Sequence, residues 1–127
     1  MRLRPLAAVL LLPLLLAGCG GGGTTQVTGH TLRLTLSEYR IVPQRASVPA
    51  GALEIVARNG GILTHNVVLQ RGSLDSTDRS ALAKIHSLLP GASGTVRTGP
   101  LAPGHYLLVS TVGNQAALGM AATLIVR

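Results

Sequence analysis

The chain of 127 residues has no phenylalanine and no tryptophan, a single cysteine, and four acids against eleven lysines and arginines. Each shortage removes a class of function. One cysteine excludes an intrachain disulfide, a CxxC redox pair and any multi-thiolate zinc or iron–sulfur site. With 2% aromatics and no basic run interleaved with rings, the stacking platforms that hold single-stranded nucleic acid are missing. The acids Glu38, Glu54, Asp75 and Asp78 lack the spacing of a carboxylate pair. No GxSxG elbow, HExxH, P-loop or dinucleotide fingerprint occurs, so nothing in the sequence asks for an enzyme. The length suits one domain with a real core and excludes two.

The lone cysteine lies near the start, behind a segment that reads as targeting sequence. Arg2 and Arg4 provide a positive n-region, residues 6–16 are apolar apart from Pro13, and Leu16-Ala17-Gly18-Cys19 follows. This resembles the lipobox of bacterial lipoproteins, which implies cleavage before Cys19 and lipid on its sulfur. The apolar run falls short of the ~20 residues of a spanning helix. The expected localisation is a lipid anchor in a cell membrane, with the domain facing the periplasm or the extracellular side. Without residues 1–18 the chain keeps nine basic and four acidic side chains. The basic residues are spread singly, which fits a mild attraction to anionic headgroups or solvated strand faces.

Four glycines at 20–23 and the polar residues after them read as a flexible tether over residues 19–29, with a root-mean-square span of about 17 Å. From residue 30 to 127 the pattern becomes short apolar alternations punctuated by Pro and Gly, as in an all-β sandwich. Leu32, Leu34 and Leu36 alternate with polar residues, as do Leu53, Ile55 and Ala57. Further strands are expected at 65–70, 93–98, 105–111 and 120–127, giving about seven to eight. One short helix is expected over 76–86, capped by Ser76 or Thr77, with Leu82, Ile85 and Leu89 at helical spacing. Pro103-Gly104-His105-Tyr106 looks like a tyrosine corner, where one ring fills the core and its hydroxyl returns to a backbone group upstream.

Residues 30–127 resemble the cupredoxins, small blue-copper proteins with a Greek-key β-sandwich. The resemblance rests on Val48-Pro49-Ala50-Gly51, Asn59-Gly60-Gly61 before His65-Asn66, Pro103-Gly104-His105-Tyr106, and Gly119-Met120 ahead of a last strand. The family's ligands are an early His and then a Cys, a His and a Met, often as Tyr-x3-Cys-x4-His-x4-Met. Counted from Tyr106, that pattern falls without gaps on Ser110, Gln115 and Met120. His65 and Met120 match. Serine and glutamine stand where the thiolate and the second imidazole belong.

A blue-copper centre is a His₂Cys set with a weak axial Met, whereas a serine hydroxyl is neutral at ordinary pH. The expected outcome is a degenerate site without type 1 copper, and no resident cofactor. His105 lies five residues along a strand from Ser110, about 17 Å away and on the opposite face, and His30 and His86 pair with nothing. The alternative is a weak, non-blue copper site from His65, Met120 and Gln115, serving copper binding or electron transfer. The resemblance also implies that Asn66 pins the loops by a hydrogen bond to Ser110. The favoured function is a membrane-tethered, monomeric binding or interaction module. It would present Ile62, Leu63, Ala116, Ala117 and Leu118 to a protein partner or small ligand, as the resemblance implies.

Overall fold

The computed structural model describes residues 22–127, so the leader and Cys19 lie outside the described residues. Ten strands form two mixed sheets packed face to face, and no helix occurs among the described residues. In the first sheet the order is β1 (Thr25–Gln26), β4 (Arg45–Val48), β10 (Ala121–Val126), β9 (Gly104–Val109), β6 (His65–Arg71) and β7 (Ala81–Leu88). In the second it is β3 (Arg40–Val42), β2 (Thr31–Ser37), β5 (Gly51–Asn59) and β8 (Ser93–Leu101).

Alternation explains the packing. Side chains two apart share a face of a strand, so Leu32, Leu34 and Leu36 on β2 and Leu53, Ile55 and Ala57 on β5 all point into the sandwich and are buried. Leu69, Leu108, Leu124 and Met120 meet them from the other sheet. With no Phe or Trp available, the core is aliphatic, and each fully buried Leu or Ile contributes about 1.5–3 kcal/mol. Tyr106 is the aromatic exception. Its ring joins the core and its hydroxyl donates to the Ala102 carbonyl at 2.7 Å, which closes the tyrosine corner.

The expected helix over 76–86 is absent. Residues 72–80 form a loop in which the Ser76 hydroxyl accepts from the Ser73 amide at 2.8 Å, and residues 81–88 are an edge strand. The reason is a pair of register shifts. Between the pairs His65↔Leu88 and Val67↔Ile85, β7 uses three steps where β6 uses two, and a second extra residue falls between Ala83 and Ala81. A bulge turns the following residue over, so Ile85 and Leu88 both face inward three residues apart, as on a helix, while Leu89, counted into the expected helix, lies exposed beyond the strand. His86, expected at a helix end, lies exposed on this strand.

The tether also ends sooner than expected. Thr25 and Gln26 pair in parallel with Ala46 and Ser47, and Val27 packs against the core. Arg127 holds this N-terminal edge, its Nε donating to Ser47 Oγ at 2.8 Å and its Nη2 to the Val27 carbonyl.

Candidate functional site

The ends of β2, β5, β7 and β9 and the start of β6 and β10 meet at one end of the sandwich. Their directions follow from the pairings: β2 runs parallel to β5, β9 antiparallel to β10 and β6, and β6 antiparallel to β7. The site lies here.

Asn59 closes β5 and is fully buried. Its Nδ2 donates to the carbonyls of Leu63 at 2.7 Å and Leu88 at 2.8 Å, while its Oδ1 accepts from the Gly61 amide at 2.9 Å. The loop over residues 60–64 is thereby folded back on itself. From the end of β2, Glu38 reaches under the same loop, and its Oε1 accepts from the amides of Ile62 at 2.7 Å and Leu63 at 2.9 Å. A Cβ at position 61 would collide with that carboxylate, which accounts for Gly61.

These contacts hold the Glu38 carboxyl down at about 2, from an ordinary 4.5. The Leu63 amide contributes most, partial burial opposes it, and the amides of Ile62 and Glu38 itself and the His65 ring add to the lowering. A depressed carboxylate stabilises the fold fully above its unfolded value and loses that contribution as pH falls through the folded one. Between about pH 4.5 and about pH 2 the urea midpoint of the wild type is therefore expected to fall more than that of Glu38→Gln. Asp78, lowered chiefly by the Ser80 side chain and amide, titrates in both proteins, so the difference isolates Glu38.

His65 opens β6 with its side chain wholly buried. Its Nδ1 is 2.9 Å from Gln115 Oε1 and its Nε2 is 3.3 Å from Glu38 Oε1. The glutamine is oriented by a third contact, because Gln115 Nε2 donates to the Thr64 carbonyl at 2.9 Å. Its Oε1 therefore accepts, and His65 Nδ1 must donate. When the ring is protonated, Nε2 donates to Glu38 as an ion pair.

Ser110 follows β9 and is also fully buried. Its hydroxyl lies 2.8 Å from Gln115 Oε1 and 3.1 Å from Asn66 Oδ1. Asn66 spans further: Oδ1 accepts from the Thr111 amide at 2.8 Å and Nδ2 donates to Thr111 Oγ1 at 2.9 Å. Met120, buried at the start of β10, shares the loop through two backbone bonds, its carbonyl accepting from the Ser110 amide and its amide donating to the Gln115 carbonyl.

His65, Ser110 and Gln115 thus meet through side-chain hydrogen bonds and Met120 joins them through its backbone, together with Glu38, Asn59 and Thr111, to which sequence reasoning gave no role at the site. Glu38 acts on residues 24 and 25 positions away. Its one local sign is the tight turn that follows, where Tyr39 has φ 60°. His105 lies at the other end of β9, beside Arg71 and Gly72, and the His30 ring sits on the Ala50 carbonyl.

A type 1 copper ion does not fit these residues. The donors are one imidazole, one thioether, a neutral hydroxyl and a carboxamide, with no thiolate. The Nδ1 of His65 is spent on Gln115, and Gln115 Oε1 lies between the ring and Ser110. Among the described residues the one buried side-chain nitrogen or oxygen without a partner is Gln70 Oε1, away from the site. Nor do three or more His, Cys, Asp or Glu converge anywhere among the described residues.

No family model matches the chain, and no curated protein matches it. Solved structures do. The dithionite-reduced auracyanin of the photosynthetic bacterium Roseiflexus castenholzii superposes with a TM-score of 0.71 at 22% identity, over 80% of this chain and 99% of that one. Auracyanin A, a "blue" copper protein of the green thermophilic bacterium Chloroflexus aurantiacus, gives 0.65 at 19% identity, over 83% and 100%. Rusticyanin of Thiobacillus ferrooxidans gives 0.65 at 16% identity, over 84% and 83%. The domain is cupredoxin-like in fold.

Proposed function

We propose that this chain is a lipid-tethered, cupredoxin-like interaction module on the outer face of a bacterial membrane, working without type 1 copper through the apolar surface around its former ligand loops. The observation that carries the reading is the Gln115 carboxamide, bonded at once to His65 and Ser110 and fastened to the Thr64 carbonyl. It replaces metal coordination by a closed polar latch. Ile62, Leu63, Ala116, Ala117 and Leu118 are exposed around the latch, which supports a docking surface there. The blue-copper neighbours favour one competing reading, copper binding or electron transfer through His65 and Met120.

Equilibrium titration with Cu(I) under reducing conditions and Cu(II) in air separates the two. The expected result is no absorption band at about 600 nm and no stoichiometric binding at micromolar protein. Stoichiometric binding that disappears in His65→Ala would replace the first reading by the second.

A further inference from the structure

The apolar end and the tether point the same way. Thr25 and Leu124 are both in register with Ala46, and β1, β4 and β10 are parallel. Traced backwards from Thr25, the chain therefore climbs toward the Met120 end of β10, and Gly22 and Gly23 line one cleft with Arg40 and Pro43, near the β2–β3 turn. From Leu124 to Met120 is about 13 Å along the strand. The six residues from Thr25 back to Cys19 reach about 20 Å when extended. A lipid on Cys19 is then within reach of the plane of the site loops, by the direction in which the chain already runs. To anchor the opposite end, the same short segment would have to turn back along the whole edge of the sheet, an edge held in place by Arg127.

The surface at that end suits a bilayer. Of the seven exposed large apolar side chains among the described residues, five belong to its loops: Tyr39, Ile62, Leu63, Leu89 and Leu118, with Ile62 82% exposed. Exposed Arg40 and Arg58 flank these loops, while the one acid there, Glu38, is turned inward onto the amides of Ile62 and Leu63. Asp75 and Asp78 lie in the loop at the far end. Apolar tips framed by basic residues are what an anionic lipid surface binds.

We propose that the occupant of the apolar loop surface is the bilayer that holds Cys19, with the domain resting loop end down and Ile62 and Leu118 dipping among the headgroups. The proposal rests on the tethered-module reading above and names the partner of that surface.

The test uses the full chain, exported and processed in a bacterial host, with a second cysteine introduced as Ile62→Cys or Leu118→Cys and, at the other end, Leu74→Cys. These three side chains are exposed, so the core is untouched. Each cysteine carries an environment-sensitive dye, and the protein is reconstituted in vesicles of phosphatidylcholine with a minority of phosphatidylglycerol. Blue-shifted emission and several-fold quenching by spin-labelled lipid are expected at positions 62 and 118 and not at 74. Equal, water-like emission at all three positions on a protein whose mass shows lipidated Cys19 overturns the orientation while keeping the tether. That is also the outcome if this end is kept for a soluble protein partner. A mass showing unmodified Cys19 overturns tether and orientation together.

Discussion

Replacing Ser110→Cys and Gln115→His together is expected to give a protein that turns blue on addition of Cu(II), with a strong band at about 600 nm. The two positions already stand around His65, with Ser110 Oγ 2.8 Å and His65 Nδ1 2.9 Å from the same atom of Gln115. Met120 is buried at the head of the next strand. The substitutions remove the carboxamide that occupies Nδ1, supply a thiolate and a second imidazole, and complete the His₂Cys set with its thioether. Ser110→Cys alone is expected to stay colourless, because Gln115 would still hold His65. The Asn66 contacts to Thr111, at 2.8 and 2.9 Å, are independent of both side chains and should keep the loops in place. Absorption and electron paramagnetic resonance after copper loading check the result.

Removing the latch without a replacement is expected to be costly. Gln115→Leu keeps roughly the volume and deletes every polar contact of the side chain. The Ser110 hydroxyl can turn wholly to Asn66 Oδ1, but the Nδ1 proton of buried His65 and the Thr64 carbonyl lose their partner. An unsatisfied buried polar group costs about 1–3 kcal/mol, so a loss of about 3 kcal/mol is expected for the pair. In a domain of this size that lowers Tm by roughly 10–20 °C. Urea unfolding should show a lower midpoint at unchanged slope. A shift within about 0.5 kcal/mol, the range of an ordinary surface substitution, would mean that the network carries little of the stability.

Local periodicity made most of this fold legible. Leu32, Leu34 and Leu36, and Leu53, Ile55 and Ala57, alternate as strands must, and Pro103 through Tyr106 announced the tyrosine corner that Tyr106 closes on Ala102. The edge strand at 81–88 was not legible, because its two extra residues bring Leu82, Ile85 and Leu88 toward the core, a spacing of three that a helix also produces. The short strand at Thr25 and Gln26 carries no pattern of its own and exists through pairing with Ala46 and Ser47. Long-range contacts of this kind are invisible to propensity.

The site divides the same way. The positions of Ser110, Gln115 and Met120 could be counted from Tyr106 along the family pattern, and the resemblance also implied a partner for Asn66. What could not be read was how the vacated positions would be filled. That depends on Gln115 reaching 50 residues back to His65 and on Glu38 reaching across 27 residues to the other ring nitrogen. The outcome is set by geometry: a carboxamide has both an acceptor for the imidazole and a donor for the Thr64 carbonyl, so one side chain satisfies two segments.

The His65 ring tests this account most directly. In 15N-labelled wild-type protein, nuclear magnetic resonance should find Nδ1 carrying a slowly exchanging proton, and one equivalent of Cu(I), which is diamagnetic, should leave that proton and both ring nitrogens where they are. Loss of the Nδ1 proton with a large shift of that nitrogen on adding Cu(I) would mean that the ring is a metal ligand and the latch is not its resting partner.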